Sequence, residues 1–407
     1  MITALVVGAG PAGLMAAETL ARRGVDVTVL ERCTTPARKF LLAGRGGLNL
    51  THSEDLPQFL QRYGTGEDWL RSAIGEFDPG ALRDWAGALG HPTTVGSSGR
   101  VFPTSFRSTE LLRSWLVALG DLGVALQTRV QFLGFSPRNE NEKGVELRVQ
   151  TESGSSDVIG ADLVVLAMGG GSWPRTGSDG MWVSPLRDLG VCHNPFTPAN
   201  GGYRVDWTPL FQERFAGVPL KNVSLTVGES SARGDAMITS SGIEGGPLYA
   251  LSDALHQVGT APSLTVDLAP DLSRETIRKR LSSARPKQTM NKLLERSAHL
   301  SPVAISLLRE ITGNKLSREP VQLTELVKAA RLSLLGPQSI DRAISSRGGI
   351  VHAEVDKDWM LTKCPGVFVA GEMLDWSAPT GGYLLQACFA TGKAAAKGAL
   401  RWFDSRG

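Results

Sequence analysis

An α/β fold is what this sequence predicts: a parallel sheet drawn from both ends of the chain, with a strand-rich and a helical insertion between them. Three observations carry that expectation. The N-terminus reads strand, glycine-rich turn, helix, strand, which is a βαβ unit. Near the other end, an apolar run at Gly366–Gly371 and a small-residue helical pattern over Tyr383–Leu400 return to the same grammar. Between them, alternating runs broken by Gly and Pro give way to helical periodicity.

Taken in order, Ile2–Val7 is an apolar strand and Gly8–Gly13 a turn. Leu14–Arg23 has helical composition and Gly24 stops it; Val25–Leu30 is a second strand ending at Glu31. Leu111–Leu122 predicts a helix and Val124–Val130 a strand, with further strands at Gly144–Thr151 and Val158–Met168. Ser224–Val227 and Leu264–Leu268 typify the antiparallel middle. Arg274–Ser283, Val303–Thr312 and Thr324–Ser333 read as helices. The expected domains are therefore 1–195 with 346–407 for the nucleotide-type fold, 196–270 with 331–345 for the strands, and 271–330 for the helices.

Composition bounds the function. The chain has 407 residues, 42% hydrophobic and 20% charged, which is ordinary for a folded protein and long enough for two or three domains. No run of 18 apolar residues offers a membrane span. Cys33, Cys192, Cys364 and Cys388 lie far apart, so neither a disulfide framework nor a metal site is expected, and a reducing cytoplasm fits. The first strand runs straight into the glycine turn, which leaves no room for a cleavable leader. The net charge is only +3, but 271–345 holds fourteen Lys and Arg against seven Asp and Glu. That segment is the expected place for an anionic partner such as RNA, unless its cations are ordinary solvated helix faces.

Gly8-Ala9-Gly10-Pro11-Ala12-Gly13 fits GxGxxG, with a strand before it, a helix after it, and Glu31 closing the next strand. Gly8 permits the turn, Gly10 lets backbone N–H groups approach a pyrophosphate, and Gly13 lets helix and strand pack closely. The helix N-terminus supplies unpaired N–H groups and partial positive charge. Glu31 can accept from ribose hydroxyls and repels a 2′-phosphate, which disfavours NADP as the tightly held nucleotide.

This fingerprint leaves FAD and NAD open, and two distant segments favour FAD. Ala37–His52 is glycine-rich and carries Arg38, Lys39, Arg45, Asn49 and Thr51, which suits phosphate and flavin carbonyls. Val367–Ala370 closes on Gly371-Glu372, and Thr380–Gln386 opens a helix. An acid there suits a ribityl hydroxyl; a helix N-terminus suits the flavin pyrimidine carbonyl, where charge develops on reduction.

With these blocks in hand, the chain resembles the HI0933-like family of FAD-dependent oxidoreductases, within the two-dinucleotide-binding-domain flavoproteins. The resemblance rests on Gly8–Gly13 with Glu31, on Arg38–Thr51 (RKFLLAGRGGLNLT) and on Gly99–Pro103 (GRVFP). It continues through Val165–Pro174 (VLAMGGGSWP), Gly371–Asp375 (GEMLD) and Pro379–Gln386 (PTGGYLLQ). It implies a Rossmann-like FAD-binding domain with a β-barrel-like insertion and a nested helical insertion. The matching flavin positions are Gly8, Gly10, Pro11, Ala12, Gly13, Glu31, Arg32, Lys39, Gly44, Asn49, Val130, Gly169, Gly371, Glu372, Gly382, Tyr383 and Leu385. Two departures stand out: relatives often carry Cys where this chain has Leu48, and Asn where it has Leu384.

The family's chemistry implies reduction of an activated C=C bond, in a small enone or in the uracil of an RNA. Hydride goes from reduced flavin N5 to the β-carbon, and an acid protonates the α-carbon. No second GxGxxG unit appears, so NAD(P)H is expected as a transient reductant. Alternatives are a non-turnover FAD-binding protein or redox sensor, and a flavin-dependent monooxygenase. Tyr383, Cys388, His52 and Arg100 are candidate proton donors or anchors, and none is assigned as catalytic; Cys388, on a helix of small residues, is expected to pack in the core. Trp173, Trp182 and Trp376 could stack on a base, but packing is the commoner use of Trp.

Overall fold

A computed structural model describes residues 1–137, 144–259, 261–285 and 287–406. The chain divides into two compact units, one comprising 1–197 and 345–407 and the other 198–344.

In the first unit, β1 (Thr3–Val7), β2 (Asp26–Glu31), β3 (Ala125–Thr128), β4 (Leu163–Leu166) and β5 (Val367–Val369) form one sheet in the order β5-β4-β1-β2-β3. Every neighbouring pair is parallel. β4 and β5 are buried along their whole length, as expected of strands covered on both faces. The helix α1 (Pro11–Ala21) follows β1, and α2 (Tyr383–Asp404) ends the domain. The small residues of α2 have a packing reason: a Cβ on Gly392 would collide with the carbonyl of Ala12, so α1 and α2 touch through their backbones.

The apolar run Val158–Met168 is not one strand. Ser156–Ala161 pairs antiparallel with Val145–Gln150, and β4 begins two residues later in the parallel sheet. Asp162 sits at the change of partner, its carboxylate accepting from the backbone N–H and hydroxyl of Thr3 at 2.9 and 3.0 Å. Hydrophobic patterning alone gave no signal for that switch. The stretch between 53 and 107, for which no element was predicted, includes helices at Leu56–Gln61, Glu67–Glu76 and Pro79–Ala88.

In the second unit, six antiparallel strands run in the order 203–204, 242–245, 230–239, 219–227, 263–267, 330–333. The chain beyond 333 returns to the far edge: Arg204 N–H donates to Gly336 O, and Leu335 N–H to Arg204 O, each at 2.8 Å. That return gives the sheet its barrel-like character. Four helices lie between strands 263–267 and 330–333: Arg274–Ser282, Met290–Ala298, Pro302–Ile311 and Pro320–Lys328. Each starts on a side-chain cap, from Ser273, Thr289, Ser301 and Glu319 in turn. The expected helix over Thr324–Ser333 ends at Lys328; Ala330–Ser333 is a strand, with burial alternating every second residue. Met290–Ala298 was not foreseen. Strands and helices here share one apolar core, Leu264 and Val266 with Ile277, Leu294 and Leu308.

Among the described residues, no helix is long and apolar enough to cross a membrane.

Candidate functional site

The first unit contains a cleft of about 970 Å³ at the ends of β1, β2, β4 and β5. Its floor is the turn after β1. Gly8 has φ +102°, a conformation that strains any side chain, and its N–H donates to Leu30 O at 2.8 Å. A Cβ on Gly13 would overlap the carbonyl oxygen of Gly8, whereas one on Gly10 would meet nothing within 4 Å. Gly13 is thus held under the turn by packing, and Gly10 faces open space. α1 begins at Pro11 with no side-chain cap, so its first N–H groups are left for a ligand.

Glu31 closes β2 and is nearly buried. Its carboxylate accepts from Ala9 N–H at 3.0 Å and Cys33 N–H at 2.7 Å, one bond per oxygen. Each oxygen keeps a free lone pair toward the cleft. The backbone of Val130 donates to Glu31 O at 3.0 Å, which fixes Val130 on the same wall. Arg32 pairs with Asp179 at 2.6 Å, while its Nε is buried with no partner among the described residues.

On the opposite wall, Lys39 Nζ bridges Glu372 and Ser172, each at 2.7 Å. The other oxygen of Glu372 accepts from Ser346 N–H at 3.0 Å. Gly371 has φ +78°, and a Cβ there would stand 2.8 Å from that of Ala12. The indoles do structural work: Trp182 donates to Gly169 O at 2.8 Å and Trp376 to Gly371 O at 3.0 Å. Cys388, expected in the core, packs against it and also lines the cleft. Burial, then the nearby Glu372 carboxylate, push its thiol up to about 12, so it is no thiolate at neutral pH.

A third group sits around the start of α2. Gly382 caps that helix at φ +98°, and a Cβ there would be 2.5 Å from Thr51 Cα. Thr51 Oγ1 and Asn49 Oδ1 are both buried without a hydrogen-bond partner among the described residues. Thr51 opens a short strand and Asn49 precedes it by two residues, so two unpartnered buried oxygens fall on one short segment, where a ligand could satisfy them. Tyr383 donates its hydroxyl to Glu54, and its ring stacks on His52 with centroids 5.4 Å apart. Arg62 grips Glu54 at 3.1 and 2.8 Å. Burial raises the Glu54 carboxyl, but the hydrogen bonds from Arg62 and Tyr383 outweigh it and hold the group below its ordinary value. Burial, then Glu54, raise the Tyr383 phenol well above its own. His52 meets Glu54 N–H at Nδ1 and Ser98 O at Nε2, at 3.2 and 2.9 Å. Arg100 is exposed, and the side chain of Arg45 lies outside the described residues.

Of the predicted flavin positions, Gly8, Gly10, Pro11, Ala12, Glu31, Arg32, Lys39, Val130, Gly169, Gly371 and Glu372 line the cleft together. Gly13 packs beneath it, and Gly44 lies against Ser108. Asn49, Gly382 and Tyr383 belong to the group at the start of α2, and Leu385 is partly buried in the first turn of that helix. Leu48, where relatives often carry Cys, is fully buried. The segment Thr176–Asp179 also lines the cleft and was not predicted; the polar, glycine-bearing run after Gly171 was its only signal.

The model for the HI0933-like protein Rossmann domain matches residues 2–398. The chain belongs to the HI0933-like family. Members and structural neighbours of that family are FAD-dependent oxidoreductases, and this protein is one of them. It is 26% identical to a 3-dehydro-bile acid delta(4,6)-reductase of Clostridium scindens, over 97% of this chain and 98% of that one. It is 24% identical to the ribosomal RNA dihydrouridine synthase of Escherichia coli, over 94% of each. In fold it is similar to a 3-ketosteroid-delta4-(5alpha)-dehydrogenase from Rhodococcus jostii, with TM-score 0.51, 16% identity, and 98% and 96% of the two chains covered. A flavocytochrome c3 fumarate reductase gives TM-score 0.53 at 16% identity, covering 98% of this chain and 78% of that one.

Proposed function

We propose that this HI0933-like protein reduces a carbon–carbon double bond conjugated to a carbonyl. One observation carries the reading. Two relatives with unlike substrates, a bile acid derivative and a ribosomal RNA, are named for saturating such a bond. When bound, FAD supplies the hydride.

The orphaned atoms of Asn49 and Thr51, the open face of Gly10 and the spare lone pairs of Glu31 fit such a cofactor. In this reading the turn Gly8–Gly13 and the N-terminus of α1 hold the diphosphate, and Glu31 accepts from the ribose. Val130 offers its main chain to the adenine. Arg32, Lys39, Gly169, Gly371 and Glu372 line the path between, and Gly44, Asn49, Gly382, Tyr383 and Leu385 surround the ring. The N-terminus of α2 would offer its N–H groups and partial positive charge to a carbonyl of the ring. NADH or NADPH serves as a transient reductant. Anaerobic titration of the yellow protein with each nucleotide is the test. Bleaching of the flavin bands, then recovery on adding an enone or uridine, is the expected result. Failure of both nucleotides to bleach them removes the NAD(P)H step, and failure of both oxidants to restore them removes the reaction.

A specific feature favours uracil in RNA as the substrate form. Lys279, Arg280, Arg285 and Arg296 line a groove of about 1330 Å³ in the second unit, with Glu275 its one acidic lining residue. Arg280 is already engaged by Ser297 O and His299. Reversing Lys279, Arg285 and Arg296 together to Glu should therefore abolish salt-sensitive retention of a uridine-rich RNA. Unchanged retention leaves the small enone as the substrate class.

A further inference from the structure

We propose that Phe102 and Phe106 form an aromatic wall on which a planar conjugated substrate stacks; this rests on the reaction proposed above. Phe106 has φ +58°, a region that a bulky side chain occupies only under constraint. The residue is 48% exposed, so burial does not account for it. Glycine or asparagine would take that backbone without strain, and neither would provide a ring.

The constraint comes from the segment that carries the orphaned atoms. Phe106 O accepts from Leu48 N–H at 3.2 Å, and Leu50 N–H donates to Val101 O at 2.9 Å. Thr51 pairs with Val101 in an antiparallel ladder. Gly47, at φ +111°, leaves room for both rings: a Cβ there would be 3.3 Å from Phe106 Cδ1 and 3.7 Å from Phe102 Cδ1. The two rings lie 5.2 Å apart at 33°. An aromatic pair, Phe106 exposed and Phe102 half-buried, is thus held against the segment whose Asn49 and Thr51 oxygens lack partners. A flat conjugated molecule offers the π face that such a pair binds well.

The test uses oxidised holoprotein and follows the flavin absorbance shift on titration with uridine and with 4-androstene-3,17-dione, with 2-cyclohexen-1-one as a compound too small to cover both rings. Phe106→Gly keeps the backbone accessible, and Phe102→Ala removes the partner ring. Expected is an about tenfold higher half-saturation in each variant for whichever of uridine and the steroid shifts the wild-type spectrum, with little change for cyclohexenone, at unaltered flavin content and melting temperature. Equal half-saturation in wild type and variants overturns the wall and leaves the reaction standing. Loss of flavin from Phe106→Gly also overturns it, because the ring then serves the loop. A wild type that answers to neither enone nor to uridine removes the reaction, and the wall with it.

Discussion

Replacing Glu31 gives the sharpest test of the cleft. Its two oxygens each hold one backbone N–H, from Ala9 and Cys33, in a nearly buried place. A hydrogen bond to a charged group contributes about 1.5–3 kcal/mol, and a buried donor left alone costs about 1–3 kcal/mol. Glu31→Gln keeps one acceptor and turns an N–H₂ toward the other donor, so a loss of about 1–3 kcal/mol follows. Glu31→Ala removes both acceptors; Cys33 is less enclosed and finds water, so about 3 kcal/mol is the working figure. For a unit of this size each kcal/mol moves the melting point by about 2–4 °C, so apo Glu31→Ala should melt about 6–12 °C lower. The holo difference should be larger, since the ribose loses its acceptor and the flavin Kd rises about 10- to 100-fold. Scanning fluorimetry of apo and holo protein, with the flavin-to-protein absorbance ratio after gel filtration, reads both effects. A Glu31→Ala protein that melts with wild type and keeps its flavin would refute the assignment of this carboxylate.

Gly13→Val should give folded but colourless protein, because its side chain would overlap the Gly8 carbonyl and displace the turn; a full complement of flavin in that variant contradicts the packing argument. Arg62→Ala tests the Glu54 cluster through pH. The folded-state carboxyl lies below its ordinary value, so the pair stabilises above that value and loses its effect as pH falls through the folded one. Arg62 is half exposed, so wild type should exceed the variant by about 1 kcal/mol or less at pH 7, and the gap in melting temperature should close under acid. A gap that widens below pH 4 reverses the sign and rejects the pairing.

Much of the site was legible in the sequence because its chemistry is local. Gly8, Gly10 and Gly13 are set by a single turn, and Glu31 follows one strand later. The return of the chain at Val367–Val369 was readable too, because a short apolar strand ending in Gly-Glu and a small-residue helix have few other uses. What escaped the sequence depends on partners far along the chain. The division of Val158–Met168 is decided by Thr3 meeting Asp162, and the end of the helix before Ala330 by pairing with 263–266. Cys388 was only half read for the same reason: it packs against the core as expected, but it also lines the cleft. Its helical neighbours are small and buried, and only Gly371 and Glu372 show that this face opens on a cleft.

The same distances bear on how the site forms. One wall comes from residues 7–40 and another from 371–388, and they meet through Gly371 on Ala12 and Gly392 on the Ala12 carbonyl. Neither contact leaves room for a methyl group, so the turn after β1 is backed on one side by residues that come last in the chain. β5 completes the edge next to β4, and α2 covers α1. An N-terminal piece alone would carry the full GxGxxG fingerprint and Glu31, yet lack Gly371, Glu372 and the cap at Gly382. On the proposed reading, the fingerprint therefore specifies the diphosphate end only. A complete cofactor site requires that the chain pass through the whole second unit, 198–344, and return to the sheet it started.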